Sequence, residues 1–226
     1  MLFEGLTVQP YVTDLLNHTA FLDGTDTGLA LSAEAQNLLF REGRTANAFA
    51  DEPVTDEQIA AIYELVKWGP TAMNAQPLRV VLVRTDDARN DLVALMSEGN
   101  RAKTAAAPLV AILAADTAFH DHLPRLNPDR PHVRDYYTGP ERAESRVAQA
   151  RFNAALQIGY FIVGVRAAGL AAGPMAGFDP AGVDAEFFPD GRLRSLLVVN
   201  LGRPGPGAWT GRLPRLSADE VVLHTL

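Results

Sequence analysis

The sequence predicts an α+β chain in which a central sheet is sandwiched between helices. Three observations carry that reading. The apolar runs at 79–84, 109–115 and 196–201 lack polar alternation, as strands covered on both faces do. A long helical stretch at 141–168 contains Ile158-Gly159-Tyr160-Phe161-Ile162-Val163, a run suited to deep burial. Upstream, Thr55-Asp56-Glu57-Gln58 is a capping box, in which a hydroxyl and an amide satisfy the free N–H groups of a new helix.

Taken in order, residues 1–30 lack periodicity and read as an N-terminal arm; one domain is expected over 31–226. Ala33 to Phe40 look helical. After the capping box, Ile59, Ile62, Tyr63 and Val66 follow at helical spacing, and proline stops the helix near Gly69-Pro70. A strand over Arg79 to Arg84 leads to Asp86, the expected cap of a helix carrying Leu92, Val93 and Met96. Leu109 to Ala115 is the second strand. The stretch 116–140 holds four prolines and three histidines and reads as a loop-rich excursion. The long helix follows, with Gly159, Gly164 and Gly169 read as points of close helix packing. Leu196 to Leu201 is the third strand, and 202–207 a turn region.

Composition sets outer limits. Hydrophobic residues make up 47% and charged residues 21% of the 226, ordinary globular values. There is no cysteine, which excludes disulfides and thiolate chemistry and suits a reducing cytoplasm. The net charge of −7 and the scattered arginines argue against nucleic-acid binding. No apolar run approaches the roughly 20 residues that span a bilayer, and the N-terminus has no secretory pattern. A hydrolase elbow of the Gly-x-Ser-x-Gly kind is missing. His120, His122 and His132 lack the spacing of a metal site, so no metal is expected. The glycines at 202, 205 and 207 follow a strand but precede no helix, unlike a phosphate loop.

Two segments say more. Gly43-Arg44-Thr45-Ala46-Asn47-Ala48-Phe49 and Trp68-Gly69-Pro70-Thr71-Ala72-Met73-Asn74-Ala75-Gln76-Pro77, at this separation, resemble the nitroreductase family of FMN-dependent oxidoreductases. The resemblance extends through Gly99-Asn100-Arg101-Ala102-Lys103, Gly173-Pro174-Met175-Ala176-Gly177-Phe178-Asp179 and Gly211-Arg212-Leu213-Pro214-Arg215. It implies a nitroreductase-like sandwich with a mainly antiparallel sheet, and a homodimer with swapped terminal segments and the flavin at the interface. Arg44, Thr45 and Asn47 match the segment that contacts the FMN phosphate, with Asn47 where many relatives carry a cation. Arg212 matches a C-terminal basic residue that reaches the same phosphate; a guanidinium fork suits phosphate. Pro70, Thr71, Asn74 and Gln76 match a motif lining the flavin ring across the dimer. Asn100 corresponds to a contact with the ribityl chain or ring edge. Lys103 corresponds to a cation at the N1–C2 edge, where negative charge collects on reduction. Met175, Ala176 and Gly177 match an element whose backbone approaches flavin N5; Ala176 replaces a glutamate there.

The resemblance further implies hydride delivery from NAD(P)H to the flavin and then to a small carbonyl or nitro compound. No side-chain nucleophile is expected. Val66-Lys67-Trp68-Gly69-Pro70-Thr71, the 173–179 element and Arg212-Leu213-Pro214-Arg215-Leu216-Ser217 are similar to the branch that reduces malonic semialdehyde to 3-hydroxypropionate. The carboxylate of that substrate needs a cation. Arg125, Arg130 and Arg134 are candidates, with Tyr136 or Tyr137 as proton donors. Two alternatives stay open from sequence: a flavin-dependent oxidase or desaturase using oxygen, and a flavin-binding protein without turnover.

Overall fold

The computed structural model describes residues 29–223. The arm expected over 1–30 lies outside the described residues, its last two positions apart. A short helix α1 (Ala33–Gln36) continues as a π turn over Asn37–Arg41, so the expected single helix changes its winding midway. Helix α2 (Asp56–Val66) begins at the capping box: Gln58 N donates to Thr55 Oγ1 at 3.2 Å, and Thr55 N donates to Gln58 Oε1 at 2.9 Å. Strand β1 (Leu78–Val83) and helix α3 (Asp86–Leu95) follow. The cap of α3 is Thr85, whose Oγ1 accepts from Ala88 N at 3.3 Å; Asp86 sits one position inside, where its charge still favours the helix N-terminus. Helix α4 (Glu98–Ala105) leads to β2 (Leu109–Asp116). The excursion then folds into short helical turns, among them α5 (Leu123–Leu126). The long helix α6 (Ala143–Ala167) precedes β3 (Ala171–Met175), α7 (Pro180–Phe187), β4 (Leu193–Gly202) and α8 (Ala218–Val221).

The four strands form one antiparallel sheet in the order β1-β2-β4-β3. Burial along β2 explains the missing polar alternation. Leu109, Ala111 and Leu113 face α2 and α6, packing with Ile62, Ile158, Phe161 and Val165. Val110, Ile112 and Ala114 face the other layer, with Leu92, Met96 and Val183. Strand β3 was not expected. Its sequence, Ala-Ala-Gly-Pro-Met, has little β propensity, and proline is tolerated because β3 is an edge strand.

The glycines of α6 and its end, read alike in the sequence, differ. A Cβ at Gly164 would run into the Val66 side chain, so α2 and α6 cross closely there. Gly169 adopts φ +72° just past the helix, a left-handed stop. Gly159 meets nothing within 4 Å, which corrects the packing expectation at that position. The excursion has its own small core of Phe119, Leu123 and Val133 against Ala75, Ala150 and Ala154. Among the described residues, no helix is long and apolar enough to cross a membrane.

Candidate active site

The site is built in two groups. The first gathers at the β3 end of the sheet. The segment after Arg44 runs beside β3 and β4: Ala46 N donates to the Ala172 carbonyl at 3.0 Å, and Ala50 N to that of Arg203 at 2.9 Å. Gly173 permits this approach, since a Cβ there would stand 2.5 Å from the Ala46 carbonyl oxygen. Lys103, in the last turn of α4, points its ammonium at Asn47 Oδ1, 3.5 Å away. Asn200 on β4 is fully buried, and its amide donates to the Lys103 carbonyl at 3.0 Å, fixing the turn that carries the lysine. Asn100 Nδ2 donates to the Gly177 carbonyl at 2.8 Å, and Ser97 N donates to the same oxygen at 3.0 Å. Asn100 therefore first shapes the 175–177 element, which includes exposed Ala176 and buried Met175.

Arg44 and the tail complete this group. Arg44 Nη1 donates to the Thr210 carbonyl at 3.4 Å, and Thr45 beside it is exposed. Arg166, at the end of α6, lies against Gly43 and donates through Nε to the Leu39 carbonyl at 3.0 Å. Burial lowers the Arg166 pKa most, the Glu42 carboxylate opposes it, and the Arg212 guanidinium adds to it. Arg212 follows two residues after Thr210, the residue whose carbonyl Arg44 reaches. Among the described residues Arg44, Lys103 and Arg212 have no ion-pair partner. Cations without ion pairs, near the chain segment that carries an exposed hydroxyl at Thr45, suit a phosphate and an anionic ring edge. Arg44 Nε, buried without a partner, is a donor still unspent. The residues present thus fit FMN in its charge and its donor needs.

The second group is the loop from Pro70 to Gln76. Met73, Asn74 and Gln76 have φ of 54°, 55° and 44°, left-handed values that non-glycine residues rarely adopt. Side chains hold the loop in that shape. Asn153 Oδ1, buried on α6, accepts from Ala72 N at 2.7 Å. Thr71 Oγ1 accepts from Gln76 N at 3.2 Å, and Gln76 Nε2 donates to Asn74 Oδ1 at 2.7 Å. Asn74 Nδ2 donates to the Leu126 carbonyl at 2.8 Å, which ties the loop to α5. Thr71, Asn74 and Gln76 thus brace one another. A shallow groove beside them is lined by Lys67, Trp68, Gly69 and Pro70. No hydrogen bond or ion pair joins this loop to the cation group within the described residues of one chain.

The excursion candidates separate. Arg125 and Arg130 are exposed and have no ion pair among the described residues, whereas Arg134 Nη2 lies 3.7 Å from Asp121 Oδ1. Tyr136 is 63% exposed, but the Tyr137 ring packs edge-on against Phe119 at 5.0 Å. His122 stands 3.7 Å from Asp116 Oδ2. Among the described residues no cluster of His, Cys, Asp or Glu could hold a metal ion.

Several supporting residues were beyond sequence reasoning. Asn153 meets its partner 81 positions away, and the Gln157 side chain accepts from Leu78 N at 2.9 Å. Their one signal is a row of amide side chains four apart on the long helix, Gln149, Asn153 and Gln157. Asp116, 1% exposed, accepts from Arg79 at 2.6 Å and from both Nε and Nη2 of Arg192 at 2.9 and 3.0 Å. Burial alone would raise the Asp116 pKa; the Arg192 hydrogen bonds, the Arg79 charge and the Ala118 amide outweigh it and hold the carboxyl below its ordinary value.

Comparison with known proteins gives the family and the fold. The model of the nitroreductase family matches residues 41–203. A Streptomyces coelicolor protein provisionally named NADH dehydrogenase/NAD(P)H nitroreductase is 61% identical, over 86% of this chain and 97% of its own. A Leptothrix cholodnii protein of the same provisional name is 50% identical, over 84% of this chain and 95% of its own. The fold superposes on a Staphylococcus epidermidis protein provisionally named NAD(P)H:FMN oxidoreductase, with TM-score 0.72, 16% identity and coverage of 87% and 98%. A nitroreductase-type protein of Exiguobacterium sibiricum, solved in complex with FMN, gives 0.69, 16%, 81% and 93%. The chain has the fold of a flavin-type reductase. It belongs to the nitroreductase family.

Proposed function

We propose that the chain is a homodimeric, FMN-dependent NAD(P)H oxidoreductase that reduces a small carbonyl or nitro compound. The observation that carries this is a set of cations without an ion pair among the described residues: Arg44, whose Nη1 reaches the tail at Thr210 two residues before Arg212, and Lys103, whose ammonium faces Asn47. Arg44, Thr45 and Arg212 would hold the phosphate. Lys103 would hold the ring edge where charge collects, with Asn47 and Asn100 setting its surroundings. When bound, FMN supplies a hydride acceptor for NAD(P)H and a hydride donor for the second substrate. The protein's own work is to orient, to balance charge and to exclude water.

The dimer is supported by two features. Residues Phe152, Leu156 and Tyr160 form an exposed apolar stripe on α6, and Trp68 beside the loop is 79% exposed. In this reading the interface unites the braced 70–76 loop of one copy with the cations of its partner, as the resemblance to the family implies; the two are separate in one chain.

Malonic semialdehyde is the carbonyl substrate this reading names, on the strength of the three segments similar to that branch. Arg125 and Arg130 are the cations for its carboxylate, because the excursion that carries them touches the 70–76 loop through Leu126 and Asn127. Tyr136 remains as proton donor. Arg125→Ala and Arg130→Ala should each raise KM for malonic semialdehyde about tenfold, a typical charge-assisted contact. KM for a neutral nitroaromatic acceptor should hold. Equal changes for both acceptors would contradict the assignment.

A further inference from the structure

Arg44 is held by an aromatic face. Its guanidinium carbon stands 5.4 Å from the centre of the Trp209 ring. No carboxylate fixes it among the described residues: its Nη1 reaches only the Thr210 carbonyl at 3.4 Å, and its Nε is buried without a partner. The backbone delivers the indole to this place. Asn47 N donates to the Ala208 carbonyl at 2.9 Å, clipping the tail to the Arg44 segment, and Gly207 turns the chain with φ +76°. Ala208 is buried at the joint. Stacking suits the arginine because it occupies the face of the guanidinium and leaves the in-plane N–H donors free.

We propose that Trp209 is a positioning residue: it stacks on Arg44 and aims the unspent donors at the phosphate of the bound flavin, so that the pair sets the preference for FMN over riboflavin. This rests on the FMN reading above. A salt bridge to a carboxylate would also fix Arg44, but it would consume the donors and cancel the charge. The aromatic face holds the cation and does neither.

The test is flavin affinity, read by quenching of flavin fluorescence in the full-length apoprotein. FMN and riboflavin are titrated into the native chain, Trp209→Leu, Trp209→Met, Trp209→Phe, Arg44→Ala and the double variant Arg44→Ala/Trp209→Leu. Removing the π face in Trp209→Leu or Trp209→Met should weaken FMN about fivefold, the scale of a partly exposed cation–π contact, and leave riboflavin unchanged. Trp209→Phe should stay near native. In the Arg44→Ala background, the further change at 209 should cost nothing. Equal weakening of both flavins, or the same loss with Arg44 absent, overturns the proposal. A native chain that prefers FMN while Trp209→Leu and Trp209→Met keep that preference overturns it and leaves the FMN reading standing. A native chain that binds neither flavin overturns both.

Discussion

Asp116 ties together three segments distant in sequence: Arg79 on β1, the Ala118 amide at the start of the excursion, and Arg192 just before β4. Its folded pKa is lowered, so its contribution to stability is present above the unfolded carboxyl value of about 3.9 and is lost as pH falls through the folded value. Asp116→Asn should destabilise the protein by about 2 kcal/mol at neutral pH. That is below the usual cost of breaking a fully buried pair, because both guanidiniums keep about a third of their surface wet. Urea unfolding at pH 7 and below pH 4 checks both parts: the difference between variant and native should shrink in acid. An undiminished difference at low pH would contradict the charge account. None of this was legible beforehand, because an aspartate at a strand end looks like any surface carboxylate until its partners arrive from elsewhere. The cation positions were legible, because Arg44, Lys103 and Arg212 sit in local patterns. That Lys103 meets Asn47 was not, since it depends on how α4 packs beside the incoming chain.

At the scale of elements, the apolar runs and the capping box were read correctly because each is a local signal: three strands and the start of α2 stand where expected, to within a few residues. Strand β3 was hidden because Gly173 and Pro174 carry the composition of a turn, and its strand state comes from pairing with β4. The glycines of α6 show the same limit, since helical spacing cannot say which face meets α2. They also give a clean comparison. Gly164→Ala should cost about 1–3 kcal/mol, because the new methyl enters the Val66 side chain. Gly159→Ala has open space within one chain, and helix propensity alone should add about 0.5–1 kcal/mol. Thermal unfolding of the two variants should move Tm in opposite directions. A loss at both positions would show that Gly159 is also crowded, by a neighbour outside the single chain.

For the whole molecule, the sheet and its two helical layers place a cation group at one edge and a strained, braced loop elsewhere on the surface. The account needs a second copy to unite them. Phe152→Glu, which charges the exposed α6 stripe, should shift the protein toward monomer in sedimentation velocity and reduce bound flavin in parallel. A monomer with full flavin content would separate the cofactor from the interface. The central claim, an FMN-dependent NAD(P)H oxidoreductase, is tested most directly by the visible spectrum of the purified protein under argon, before and after NADH or NADPH is added. The account predicts flavin bands that bleach with at least one nicotinamide. Flavin bands that survive both, or a colourless protein that takes up no added FMN, would contradict it.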